Sequence, residues 1–215
     1  MNGIKAVILD IDGTVSAEHS WLALTRDLGA DPDAHVRLYM AYRDGSATYE
    51  QSRDGLLELW RSTGNAKKED FERIFAGLAF DQSAISVVDK LRQQYHLCLI
   101  TGSMDLNARS VATRLGIDDW YANTTLHWDV DGNLSGMDYE LDQASRKLQH
   151  LEMFCKANGY LTTECVAVGD GENDLGLFRV TGHGILIAKE HDPTLAAAAQ
   201  TVISDLSELP AVLGM

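Results

Sequence analysis

Asp10 and Asp12 stand two positions apart in Asp10-Ile-Asp-Gly-Thr14, directly after the apolar run Ala6-Val-Ile-Leu9. Four consecutive apolar residues read as a buried strand, and open α/β sheets place their chemistry at the C-terminal ends of such strands. Residues i and i+2 of an extended chain face the same side, so both carboxylates can converge on one small volume. Left alone they would repel. A hard cation relieves that repulsion, and Mg2+ favours one or two carboxylates together with phosphate oxygens. The plainer alternative is that Asp12-Gly13 simply turns the chain at the end of a strand.

Three further stretches could supply partners. Gly169-Asp-Gly-Glu-Asn-Asp-Leu175 follows the apolar run Cys165–Val168 and opens a helical pattern, which places Asp170 and Asp174 at another strand end. Helix capping explains part of this stretch, but one cap does not require so many acids. The EF-hand spacing and its terminal Glu are missing. Thr101-Gly-Ser103 follows the apolar run Leu97–Ile100, and a hydroxyl with free backbone N–H groups at a strand end can hold phosphate oxygens. It is also common turn material. Lys147, like its neighbour Arg146, would by itself read as a surface cation.

These residues need a scaffold. From Ser16 to Phe80 apolar residues recur at helical spacing, as in Trp21, Leu22, Leu24 and Leu28, and no strand is expected there. From Gln82 helices and strands alternate: helix to about Gln94, strand His96–Ile100, helix Asp105–Leu115. Alternating polar and apolar residues around Asp131-Gly-Asn133, within 122–140, predict an antiparallel hairpin. A helix over Gln143–Asn158 stopped by Gly159, strands Cys165–Val168 and Gly184–Ile187, and helices near Pro193 and Leu206 complete the reading. Such alternation builds a parallel sheet. The expected fold is α/β, a Rossmann-like doubly wound parallel sheet from residues 1–15 and 81–215, interrupted by a small helical cap over 16–80. An insertion at that strand end lies over the site, where lids sit, and it is expected to open and close.

Composition narrows the function. The 215 residues include 45% hydrophobic and 23% charged side chains, ordinary for a soluble domain large enough to bury a core. The formal charge of −14 opposes nucleic acid and anionic membranes, so an anionic ligand must be met by local cations. No apolar run approaches a membrane span and no signal-peptide pattern opens the chain, so a cytoplasmic location is expected. Cys98, Cys155 and Cys165 are odd in number and lack metal-ligand spacing, which reads as reduced packing residues. The seven histidines form no zinc motif.

Taken in order, Asp10-x-Asp-Gly-Thr, Thr101 after a strand, Lys147, and Gly169-Asp-Gly-x-Asn-Asp174 resemble the four motifs of the haloacid dehalogenase-like hydrolases. The likeness spans essentially the whole chain. It is nearest to the phosphoserine phosphatase-like branch with a helical cap, as Tyr49-Glu-Gln-Ser52 and Ala167-Val-Gly-Asp-Gly171 support.

The resemblance implies a Mg2+-dependent phosphatase acting through an aspartyl-phosphate. Asp10 would be the nucleophile and Asp12 the acid and base. The carboxylates of Asp10 and Asp170 and the backbone carbonyl of Asp12 would bind the metal, with Asp174 supporting. Thr101, Gly102, Lys147 and Asn173 would hold the phosphoryl group. Asp12 separates this chain from dehalogenases, which lack that acid because a halide needs no proton on leaving. In the cap, Glu18 and His19 stand where the family has one glutamate, and Leu56, with Arg53 nearby, where it has an arginine. The implied substrate is therefore a small phosphorylated metabolite, not necessarily phosphoserine, with His19, Arg43 and Arg53 available to its leaving group. A phosphomutase of the same superfamily, a phosphoacceptor module and a phosphate-binding protein are the competing readings.

Overall fold

The computed structural model describes residues 3–188 and 193–215. Among them, β1 (Ala6–Leu9) is followed by α1 (Ser20–Asp27), α2 (Pro32–Arg43), α3 (Tyr49–Arg61) and α4 (Lys68–Gly77). Then come α5 (Ala84–Leu91), β2 (His96–Met104), α6 (Asp105–Leu115), β3 (Asp119–Trp128) and β4 (Leu134–Tyr139). The chain continues with α7 (Gln143–Asn158), β5 (Cys165–Gly169), α8 (Leu175–Thr181), β6 (Gly184–Ile187), α9 (Pro193–Ala198), β7 (Thr201–Ile203) and α10 (Leu209–Val212).

The strands form one sheet in the order β4-β3-β2-β1-β5-β6-β7. Every pairing is parallel except β3 with β4. The sheet confirms the α/β reading, with β1 between β2 and β5, so the C-terminal ends of these three strands share one edge. β1 is buried at every position, and apolar clusters lie on both faces of the sheet. The three cysteines are free and buried, as packing residues should be. Among the described residues, no helix is long and apolar enough to cross a membrane.

Three details differ from the sequence reading. β2 runs on to Met104, so Thr101-Gly-Ser103 lies within it. Thr101 pairs with Ala122 and Met104 with Thr124, an extra residue on β2 that bulges the strand. The hairpin's first arm begins at Asp119 and is a parallel partner of β2, with only the β3–β4 pairing antiparallel. β7 was not foreseen: Thr-Val-Ile is too short to show periodicity and is specified by its pairing with β6.

Between β1 and α5 the polypeptide makes the four helices α1–α4. Local chemistry sets their starts: Asp31 accepts a bond from Asp33 N ahead of α2, and Thr48 and Gln51 form a reciprocal capping box at α3. The segment leaves and rejoins the sheet through a narrow neck, where Asp81 N donates to Val15 O at 3.0 Å and Ser16 bridges Phe80. Trp60, Phe71 and Phe75 are buried in its interior, and that cluster continues into Met104, Leu126, Leu134 and Met137 of the sheet edge.

Candidate active site

The β1 end carries Asp10, which is 5% exposed. Its Oδ1 accepts a bond from Ile11 N at 2.7 Å, and its Oδ2 lies 2.9 Å from Lys147 Nζ. Lys147 projects from α7 and is fully buried, with its second contact at 2.6 Å to Asp174 Oδ1. Burial alone would push this ammonium down, but Asp10 and Asp174 outweigh it and hold the lysine above its usual range. An ammonium has three donors, so these two contacts leave one N–H unpaired.

Oxygens of Asp10, Asp170 and Asp174 lie within 4.8 Å of one another. Burial pushes the Asp170 carboxyl up to about 6, and the charge of Asp10 adds to the rise. Burial pushes Asp174 up as well, although Lys147 pulls the other way. The glycines around them are demanded by closeness. A Cβ on Gly13, which sits at φ +73°, would fall 1.9 Å from Asp170 Oδ2, and one on Gly169 would fall 2.2 Å from Asp174 Oδ2. Three crowded hard-oxygen donors around one volume are the chemistry that a divalent cation satisfies.

Asp12 is held differently. Its Oδ2 accepts from Ser20 Oγ at 2.7 Å and its Oδ1 from Ser20 N at 3.1 Å, so the first residue of α1 caps the carboxylate. Ser20 Oγ also lies 2.6 Å from Ser103 Oγ, to which Asn107 Nδ2 donates at 3.0 Å. Because the Ser20 proton is spent on Asp12, Ser103 donates to Ser20, and all three donors run toward the acid. Burial pushes Asp12 up to about 6 against the lowering effect of Ser20, and Asp10 adds to the rise.

These groups open into a cavity of about 890 Å³ between the sheet edge and α1–α3. Asp10, Asp12, Thr101, Gly102, Asp170 and Asn173 line its floor, and His19, Arg43 and Arg53 its upper wall. Lys147 and Asp174 are not on the wall; they sit behind the carboxylates. Arg43 donates to Tyr39 Oη at 2.7 Å, whereas Arg53 is paired with Asp54 at 2.8 Å and lies over the Tyr49 ring. His19 is exposed at the start of α1. Ser20, His35, Tyr139 and Gln143 were not singled out as site residues from the sequence. Their signal is three-dimensional: Gln143 Oε1, for example, would lie 2.8 Å from a Cβ on Gly102.

The chain resembles known proteins along its whole length. It is 24% identical over 209 residues to phosphoserine phosphatase of Methanocaldococcus jannaschii, covering 95% of both chains. It is 26% identical over 217 residues to phosphoserine phosphatase of Streptococcus thermophilus, covering 99% of this chain and 98% of that one. The fold superposes on a phospho-aspartyl intermediate analogue of phosphoserine phosphatase with a TM-score of 0.75 at 24% identity, over 97% of this chain and 98% of the other. The pattern of the family described as haloacid dehalogenase-like hydrolase matches residues 7–179. With that match spanning most of its length, the chain belongs to the haloacid dehalogenase-like hydrolases.

Proposed function

We propose that this protein is a Mg2+-dependent phosphatase of small phosphomonoesters that works through an aspartyl-phosphate on Asp10. The observation that carries the reading is the placement of Asp10: a buried carboxylate at the β1 end, in contact with Lys147 and open to a cavity also lined by Thr101 and Gly102. Its relatives named phosphoserine phosphatase support the same reaction class.

The carboxylates of Asp10 and Asp170 and the backbone carbonyl of Asp12 would hold the cation, with Asp174 behind them. When bound, it supplies charge neutralisation for the phosphoryl oxygens. Thr101, the Gly102 backbone, Asn173 and the spare Lys147 N–H would orient the phosphoryl group for in-line attack. An Asp10 oxygen attacks phosphorus, the bond from phosphorus to the leaving oxygen breaks, and Asp12 gives that oxygen its proton. Asp12 then takes a proton from water, whose oxygen displaces Asp10 from phosphorus and releases inorganic phosphate. The 16–80 helices would serve as the cap. Arg43, which makes no salt bridge among the described residues, is the better placed cation for an anionic part of the substrate than Arg53.

Phosphate release from a panel of phosphorylated metabolites, including phosphoserine, tests this reading. Release should require Mg2+, stop on chelation and be lost in Asp10→Asn. A folded protein that releases none from any ester would contradict it.

A further inference from the structure

The wall above the carboxylates carries, besides Arg43 and Arg53, an aromatic panel. Trp21 of α1 stands edge-on to Tyr139 of β4 at 5.7 Å between centroids, and Tyr139 stacks on Tyr49 of α3 at the same separation. Tyr49 Oη donates to Tyr139 O at 3.2 Å, which fixes the panel. Leu56 and Met137 extend it with aliphatic surface. At about 890 Å³ the cavity lies toward the upper end of the roughly 300–1,000 Å³ typical of small-molecule sites. A short polar leaving group would leave these rings facing water, whereas a ring would pack against them edge-to-face or offset.

His35 also lines the cavity, beside this aromatic panel. His35 is the buried residue of α2, and its Nδ1 lies 2.7 Å from Thr25 Oγ1. That hydroxyl also accepts from Trp60 Nε1 at 2.8 Å and donates to Trp21 O at 3.0 Å. A hydroxyl has one hydrogen and two lone pairs, so only one assignment satisfies all three neighbours. The hydrogen goes to the Trp21 carbonyl, the indole takes one lone pair, and His35 donates its Nδ1 proton to the other. Nε2 is therefore an unprotonated acceptor, with no partner among the described residues. Burial pushes the ring down to about 4, so it is neutral near physiological pH. An unpaired ring acceptor on a residue that lines the cavity discriminates against ligands that cannot donate to it.

We propose that the leaving group of the substrate is an aromatic ring bearing an N–H or O–H donor, packed against Trp21 and Tyr139 with the donor on His35 Nε2. The inference rests on the phosphatase reading for the position of the phosphoryl group. It makes His35 a specificity-determining residue and excludes the seryl group as the natural fit.

The test is kcat/KM for primary-alcohol esters that differ only above the phosphate: propyl phosphate, phosphoserine, 2-phenylethyl phosphate, and its ring-hydroxylated and ring-methoxylated forms. The ring should raise kcat/KM about tenfold or more over propyl phosphate and phosphoserine. A ring hydroxyl should add a further gain of about tenfold that the methoxyl does not reproduce. In His35→Phe the ratio of hydroxylated to plain ring should fall to about one. Phosphoserine or propyl phosphate matching the aryl esters would overturn the proposal, as would a hydroxyl gain equalled by the methoxyl. If no ester is hydrolysed, the phosphatase reading fails and phosphonate binding decides the cavity separately. Tenfold tighter binding of 2-phenylethylphosphonate than of propylphosphonate would support the aromatic site, and equal binding would overturn it.

Discussion

Ser20 joins two parts of the molecule at a single atom. Its hydroxyl, on the first turn of α1, caps Asp12 at the end of β1 and receives Ser103 from β2. A carboxylate that must deliver a proton in one direction and accept it in another benefits from a fixed orientation. Removing one hydrogen bond to a charged group costs about 1.5–3 kcal/mol, so Ser20→Ala should lower kcat roughly tenfold or more with a smaller change in KM. An unchanged kcat would remove Ser20 from the account. Gly13→Ala makes a second case, because its Cβ would overlap the Asp170 carboxylate at a backbone φ of +73°. Phosphate release should fall by about 100-fold or more while far-ultraviolet circular dichroism stays near the parent's. The convergence of Asp10, Asp12, Asp170 and Asp174 on one edge was legible in the sequence because their spacing places them at the ends of apolar runs that read as strands. Ser20 and His35 were not, since nothing local distinguishes them from other residues on amphipathic helices; their meaning comes from Asp12 and Thr25.

At the scale of elements, the four inserted helices are unequally anchored. α3 buries Leu56, Leu57 and Trp60, and α4 buries Phe71, Ile74 and Phe75. Arg61 ties α3 to the carbonyls of Leu134 and Ser135, and Arg114 of α6 donates to the Leu78 carbonyl just past α4. α2 buries only His35 and exposes Val36, Tyr39 and Met40. Local opening takes least free energy where few apolar contacts are lost, so admission of substrate should be carried by α2. Amide hydrogen exchange should be faster across 32–43 than across 68–77. Equal protection in the two helices would instead indicate that the insertion moves as one piece. The sequence showed these helices through their spacing and caps, but the shared apolar cluster with the β3–β4 hairpin joins residues too distant in sequence for any periodicity to reveal.

At the scale of the whole molecule, buried groups should move acid stability in opposite senses. His150 packs on the Tyr121 ring at 5.2 Å, and burial together with Arg146 pushes it down to about 4. Its unfolded form takes up a proton near its ordinary 6.5, so its contribution to stability is intact above that pH and is lost progressively between about 6.5 and 4. Asp12 and Asp170, raised to about 6, oppose it, because the folded form takes up their protons first. His150→Phe isolates the histidine, since the acid cluster is common to both chains. Its change in unfolding free energy between pH 7 and 4.5 should differ from the parent's by on the order of 1–2 kcal/mol, the variant losing less. Identical changes in the two chains would show that His150 titrates normally.

The sheet, the helices above it and the crowded acids at its edge all serve one claim, that phosphorus is transferred to Asp10. The direct measurement is to mix the protein with Mg2+ and excess phenyl phosphate, quench in acid, reduce with borohydride and map the peptides by mass spectrometry. An aspartyl-phosphate is reduced to homoserine, so residue 10 should carry that change only when ester is present. Phosphate release with residue 10 still aspartate, or with the change at another carboxylate, would contradict the account.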